Sequence, residues 1–353
     1  MARRQNVIAT SITHSIRHSD EKRKPVTARI PAFFYVYWLT FECVREDLFK
    51  ALRAAWQISE DEYRKSFGAD DKVAAALKPM GDMGYSGSTF FTTTDSRYLV
   101  KSIPRHFEHS FFKNDLLVPY AEYMQNNPSS LLCRITDFLE CYESSIGTMF
   151  GSAPSHHIVM DNILFGKGED GAEWEDWDLK PMSYFYPERD VAGGVLSSEA
   201  TKSKLADEFN DKILLSLDQA EEFKAQLAKD TALLAKSNAV DYSLFLVRIP
   251  YSDPADPTKS VGTENVTPAK APFVPPNPPS WRTGARSVDG KYLYRAAILD
   301  FFWAKHKVHA KAMTGLINVY NAVDRQGPMS VTTESPEYRS RFMKMCTDLI
   351  ETL

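Results

Sequence analysis

The sequence predicts a protein of the α+β class, and three stretches carry that prediction. Val240 to Ile249 is a short apolar run opened by one acid, Asp241, without clean alternation of apolar and polar residues. It reads as a strand buried on both faces. Asp218 to Ser237 sets Ala220, Phe223, Leu227, Thr231 and Leu234 on one face, the spacing of an amphipathic helix. Phe90-Phe91, then Thr92 to Arg97, then Tyr98 to Lys101 read as a strand, a hairpin connection and a returning strand.

With 353 residues the chain is long enough for one large domain or two lobes. Its hydrophobic share of 43% and charged share of 25% are ordinary for a soluble globular protein. A net charge of −4 gives no global basic field, so no nucleic-acid partner is expected, and membrane contact would need a local patch. Cys43, Cys133, Cys141 and Cys346 lack any Cys-x-x-Cys pairing and read as reduced core thiols of a cytosolic protein. The apolar run Ile30 to Phe41 is too short and too aromatic for a membrane span. The N-terminus is basic but lacks the apolar core of a signal peptide.

In chain order, Ile8, Ile12 and Ile16 mark one face of an N-terminal helix. The cluster Arg17, His18, Lys22, Arg23 and Lys24 after it reads as a solvated arm or a phosphate contact. Cys43 to Ala55 is an amphipathic helix with Val44, Leu48, Leu52 and Ala55 on its stripe. Ser59 to Glu62 has the form of a capping box that starts another helix. A helix is expected from about Phe107 and a strand over Cys133 to Leu139. His156 and His157 find no third ligand for a metal and are expected at a surface or strand edge. Prolines from Pro254 to Pro279 make Tyr251 to Gly290 an irregular insert between adjacent strands. Tyr292 to Phe302 is the return strand, and a last helix is expected to run to about Leu353.

Several side chains suggest chemistry, each with a plainer alternative. Gly84 and Gly87 let the backbone turn sharply toward phosphate oxygens, and Ser86 and Ser88 offer hydroxyls. An ordinary hairpin turn explains the same residues. Lys101 is either a phosphate-pairing cation under that turn or a surface lysine at a strand end. Asp241 is either a turn-capping acid or a catalytic one. Asp241 and Asp300 side by side would repel, so a cation is implied if both face one site.

Five segments in this order resemble the phosphatidylinositol phosphate kinase family: Gly84 to Gly87, Val100-Lys101, Asp178-Leu179-Lys180, Val240 to Phe245 and Ile298-Leu299-Asp300. Weaker similarities are Asn126 to Leu132, His157 to Phe165, Asp207-Glu208-Phe209 and Pro336 to Phe342, so the resemblance covers most of the chain. It implies a two-lobed fold like that of the group including SAICAR synthase. Antiparallel sheets would carry flanking helices, with a nucleotide cleft between lobes at 1–160 and 161–353. ATP and Mg²⁺ would be the cofactors. Gly84, Ser86, Gly87, Ser88 and Lys101 would hold the nucleotide phosphates, Glu108 (or Asp115) would pair with Lys101, and Met160 and Asn162 would lie at the adenine. Asp178, Lys180 and Asp241 would be the catalytic set, and Asp300 the metal ligand.

Arg189 would touch substrate phosphate or pair with Glu188 or Asp190. A specificity loop at about 303–330 would offer Lys305, Lys307 and Lys311 to the headgroup. Two departures stand out: Pro181-Met182 replaces the family's Gly-Ser, and the loop lacks the family's adjacent lysine pair. The implied activity is phosphorylation of an inositol-ring hydroxyl of a phosphoinositide, in the cytoplasm and peripherally at membranes. A soluble inositol phosphate or other small acceptor, and a non-catalytic nucleotide-binding scaffold, remain as alternatives, and a homodimer stays open.

Overall fold

The computed structural model describes residues 2–19, 39–68, 77–80, 88–142, 153–168, 171–181, 207–251, 281–304 and 334–353. Gly84, Ser86 and Gly87, Met182 and Arg189, most of the proline-rich insert, and Lys305, Lys307 and Lys311 lie outside the described residues. The chain mixes helices with antiparallel sheets, the α+β class. It divides into two compact units, one of residues 1–109 and 134–162, the other of 110–133 and 163–353. A single boundary near residue 160 was expected; residues 110–133 instead belong with the second unit. The reason is in their bonds. Asp230 accepts from Leu131 N–H at 2.7 Å and from the Ser130 hydroxyl at 2.8 Å, and Cys133 N–H donates to Ile298 O at 3.0 Å.

The first unit is built on a six-stranded sheet. Its strands are β1 (Phe41–Cys43), β2 (Leu77–Pro79), β3 (Phe90–Thr93), β4 (Tyr98–Ser102), β5 (Ile135–Cys141) and β6 (His156–Asp161), in the order β1-β5-β6-β4-β3-β2. The β3–β4 pair is an antiparallel hairpin, as the strand–connection–strand reading predicts. Helix α1 (Ala2–Arg17) buries Ile8, Ile12 and Ile16, and its Ser11 and Ser15 hydroxyls accept the N–H groups of Leu39 and Phe41.

Helix α2 (Glu46–Ala55) buries Phe49, Leu52 and Arg53, so the expected stripe is rotated and Ala55 is exposed. The Arg53 guanidinium is satisfied on this buried face. It donates to Thr136 O at 2.6 Å and to Glu60 at 2.7 Å, and lies 3.4 Å from Asp137. Asp137 also accepts from the Tyr63 hydroxyl at 3.1 Å and from the Cys43 thiol. Burial pushes the Asp137 carboxyl up despite the neighbouring Arg53. Helix α3 (Glu60–Ser66) starts after Ser59 as expected, but the Ser59 side chain makes no capping bond.

His156 and His157 are buried, not at a surface or edge, because β6 lies between β5 and β4. His157 sets its ring edge-on to Phe41 at 5.0 Å, and desolvation depresses it to about 3. Neither of its ring nitrogens has a hydrogen-bond partner. His156 stacks on His109.

The chain passes to the second unit through α4 (His106–Phe111), a π-helical turn (Phe112–Leu116) and α5 (Leu117–Asn126). The second unit's main sheet has four strands: β7 (Glu175–Leu179), β10 (Ser243–Pro250), β11 (Ala285–Arg286) and β12 (Tyr292–Leu299), in the order β11-β12-β10-β7. β10 lies between antiparallel partners, and Leu244 and Leu246 on one face and Val247 and Ile249 on the other are all buried, which is why its sequence is apolar without alternation. Two short pairs complete the unit. β9 (Ala239–Val240) pairs antiparallel with β13 (Trp303–Ala304), and β8 (Ile213–Leu215) pairs in parallel with β14 (Ile350–Thr352).

Helix α6 (Leu217–Lys236) buries all five residues of its predicted face and opens on a capping box of Ser216 and Gln219. Helix α7 (Ser335–Asp348) stops short of Leu353, because the last residues join β8 as a strand. Residues 281–290 were expected within the irregular insert but are ordered. Trp281 packs on Phe223 at 4.1 Å, and the buried Arg282 donates to Ser130 O and Leu132 O. Among the described residues no helix is long and apolar enough to cross a membrane, and all four cysteines are free thiols.

Candidate active site

The register of the four-stranded sheet brings distant charges to one end. Ser243 opposes Leu299, so Asp241, two residues before Ser243, and Asp300, one after Leu299, leave the same end of the β10–β12 ladder. Leu179 opposes Leu244, so Lys180 leaves β7 at that end too. Trp303 then pairs with Val240, closing β13 on β9 just beyond the two acids. Sequence separations of about sixty residues thus collapse because three strands end together.

Lys180 Nζ donates to Asp241 Oδ1 at 3.1 Å, and the two side chains are 14% and 10% exposed. Burial would lower the Lys180 pKa, but Asp241, then Asp300 and Asp178, more than reverse this and hold it above its ordinary value. One ammonium therefore sits in the field of three carboxylates. Asp178 lies on β7 opposite Phe245, and its N–H donates to Asp207 Oδ2 at 2.7 Å.

Both Asp241 and Asp300 have left-handed backbones, with φ of 64° and 62°. Aspartate tolerates this region better than most residues, yet it still carries strain. At each acid the chain leaves one strand pair and enters the next, and the left-handed step turns the residue out of the ladder.

The donor chemistry fits Mg²⁺. Asp178, Asp241 and Asp300 offer hard oxygens around a single ammonium. Among the described residues no three or more His, Cys, Asp or Glu side chains stand close enough to hold a metal by themselves. Mg²⁺ does not require that, since it takes one or two carboxylates and completes its octahedron with water and phosphate oxygens. The Ser243 hydroxyl, at the same strand end, is fully buried and has no hydrogen-bond partner. An orphaned polar atom here suits a site that receives a polar ligand.

The other predicted positions lie in the first unit. Lys101 is the fourth residue of β4, 7% exposed, with its ammonium 5.4 Å from the Phe90 ring centroid. Ser88 is buried just before β3. Glu108, proposed to pair with Lys101, accepts from Arg105 at 3.2 Å. Met160 is buried in β6, and Asn162 closes that segment, donating to Ser96 O at 2.8 Å. The first unit's last residue is Asn162.

Sequence reasoning missed Asp207 as a support for Asp178, and Ser243 as an orphan at the strand end. Asp207 belongs to a weak similarity, but nothing in its spacing ties it to β7.

Comparisons with known proteins agree on one family. A family model described as phosphatidylinositol-4-phosphate 5-kinase matches residues 72–349. A probable phosphatidylinositol phosphate kinase of Dictyostelium discoideum is 28% identical over 53% of this chain and 24% of its own length. A phosphatidylinositol 4-phosphate 5-kinase of Plasmodium falciparum is 27% identical over 56% of this chain and 12% of its own length. A phosphatidylinositol 4-phosphate 5-kinase-like protein 1 of Mus musculus is 25% identical over 56% of this chain and 46% of its own length. The chain thus spans less than half the length of each of these curated relatives. With most of its 353 residues inside the family model, and with Lys180 and the acids of the second unit's resembling segments gathered at one sheet end, this chain belongs to the phosphatidylinositol-4-phosphate 5-kinase family.

Proposed function

We propose that this chain is an ATP- and Mg²⁺-dependent phosphotransferase that phosphorylates an inositol-ring hydroxyl of a phosphoinositide. The observation that supports it most is the convergence of Asp178, Asp241 and Asp300 on the Lys180 ammonium. When bound, Mg²⁺ supplies charge neutralisation across phosphate oxygens. Asp300 is the residue that would hold it. Lys180 stays protonated at neutral pH, so it offers N–H donors to the transferring phosphoryl oxygens. Asp241 orients the acceptor hydroxyl and takes its proton, a contribution modest beside charge neutralisation. Lys101 and Ser88 are proposed to bind nucleotide phosphates.

The acceptor is proposed from the printed names of the relatives, which are phosphatidylinositol phosphate kinases. On this reading the protein works in the cytoplasm, peripherally at a membrane. A second reading, a soluble inositol phosphate as acceptor, rests on Pro181-Met182. Proline fixes φ and removes a backbone donor directly after Lys180, where the family has Gly-Ser.

Radiolabelled ATP turnover with phosphoinositide vesicles and with soluble inositol phosphates tests both readings, with Asp300→Asn as control. Label in lipid that Asp300→Asn abolishes supports the first. Label only in soluble inositol phosphates supports the second. No transfer to either acceptor refutes both.

A further inference from the structure

The left-handed backbone at Asp241 needs something to hold it, because a strained residue relaxes unless its surroundings over-determine it. The carbonyls that bracket it are both held by one helix. The Ser335 hydroxyl, on the first residue of α7, donates to Ala239 O at 2.8 Å. The Tyr338 hydroxyl, one turn later, donates to Tyr242 O. Ala239 lies two residues before Asp241 and Tyr242 one after, so the two bonds grip the backbone on either side of the acid.

The grip is dry and aromatic. Tyr242, Tyr338 and Phe342 are wholly buried, and Ser335 is 2% exposed. The Tyr242 ring packs edge-on against Tyr338 at 4.7 Å and against Phe342 at 4.9 Å. The hydroxyls of Ser335 and Tyr338 thus reach carbonyls that water cannot serve in their place. On its other side β9 is fixed by its pairing with β13. The α7 contacts therefore fix the two ends of the left-handed step that aims Asp241 at Lys180.

We propose that α7 is a clamp that sets the backbone geometry of Asp241, with Tyr338 and Ser335 as positioning residues. The idea rests on the proposed role of Asp241 in accepting the hydroxyl proton. It assigns a task to the Pro336 to Phe342 segment, which the chemistry above leaves unused.

The test uses the full chain carrying Tyr338→Phe, which removes one hydroxyl and keeps the ring, and Ser335→Ala as a second variant. Misplacing a reacting group by a fraction of an ångström is expected to lower kcat about tenfold to a hundredfold. KM for ATP should stay within about twofold, since the loss is confined to the transition state. Backbone amide exchange in a peptide covering 239–245 should quicken about tenfold or more, while one covering 246–250 keeps its protection. Lys344→Ala, on the exposed side of α7, should leave every reading at the wild-type value.

With measurable wild-type turnover, a kcat loss without faster exchange at 239–245, or the reverse, overturns the proposal. Exchange that quickens evenly across the second unit also overturns it, since that is a merely structural effect. If the wild type transfers no phosphoryl group, the functional reading falls on its own. The exchange arm then decides the clamp alone: local quickening upholds it, and unchanged exchange overturns it.

Discussion

Replacing Lys180 by methionine removes an ammonium set among Asp178, Asp241 and Asp300 while keeping most of the side-chain volume. At the observed 3.1 Å, two unit charges in an effective dielectric near 20 attract by about 5 kcal/mol. Both side chains are mostly buried, so solvent screens little of it. Breaking such a pair by removing one partner costs about 3–5 kcal/mol, because the other charge stays buried without compensation. Lys180→Met should therefore lose about 3–5 kcal/mol of stability at neutral pH.

The pH dependence has a fixed sign. The folded Lys180 pKa is raised, so its contribution is fully present below the ordinary lysine value and is lost as pH rises through the folded one. The gap between wild type and variant should close only in strong alkali. Urea denaturation followed by tryptophan fluorescence at several pH values measures it. Adding Asp241→Asn to the variant should recover part of the loss, since the uncompensated carboxylate is gone. A Lys180→Met protein within about 0.5 kcal/mol of wild type would refute the claim that this ammonium organises the site.

Asp300→Asn should lower phosphoryl transfer by about a thousandfold, the scale of a preorganised electrostatic group. The same change should leave the melting temperature unchanged or raised, because it removes one of three carboxylates crowded on a single cation. His157 is depressed from its ordinary value near 6.5 to about 3. The unfolded chain therefore binds the proton first, and stability falls as pH drops from 6.5 toward 3. His157→Leu should flatten that acid limb in pH-dependent denaturation without loss at neutral pH, since neither ring nitrogen has a partner to forfeit. Ser216→Ala removes the capping box of α6 and should cost about 1 kcal/mol of stability, read as a lower denaturation midpoint.

The strands and helices that read most clearly were those whose own side chains carry the period. The face of α6, the isoleucines of α1 and the β3–β4 hairpin all follow from local spacing. The apolar character of Val240 to Ile249 gave away a strand covered on both sides. What stayed hidden depends on partners far along the chain. The face of α2 takes in Arg53, whose charge is met on β5 and by Glu60, so reading it as a polar residue hid its burial. His157 looks polar in sequence, yet its strand is interior. Residues 281–290 look like the end of a proline-rich loop until Trp281 meets Phe223. At the site, the residue types and their order were legible. The left-handed backbones of Asp241 and Asp300 were not, because aspartate, unlike glycine, does not advertise that conformation.

The interleaving of the two units has a consequence for how the protein is made. Residues 110–133 emerge from the ribosome in the middle of the first unit but find their bonding partners far downstream. Ser130 waits for Asp230, 100 residues later, and Leu132 O waits for Arg282, 150 residues later. Until then a segment bearing Leu116, Leu117, Tyr120, Leu131 and Leu132, all buried in the finished protein, hangs solvated from an otherwise completed sheet. A fragment ending near residue 162 would keep that segment exposed for good. Such a fragment should precipitate or recruit chaperones, whereas a chain long enough to include β12 gives the segment its proper neighbours.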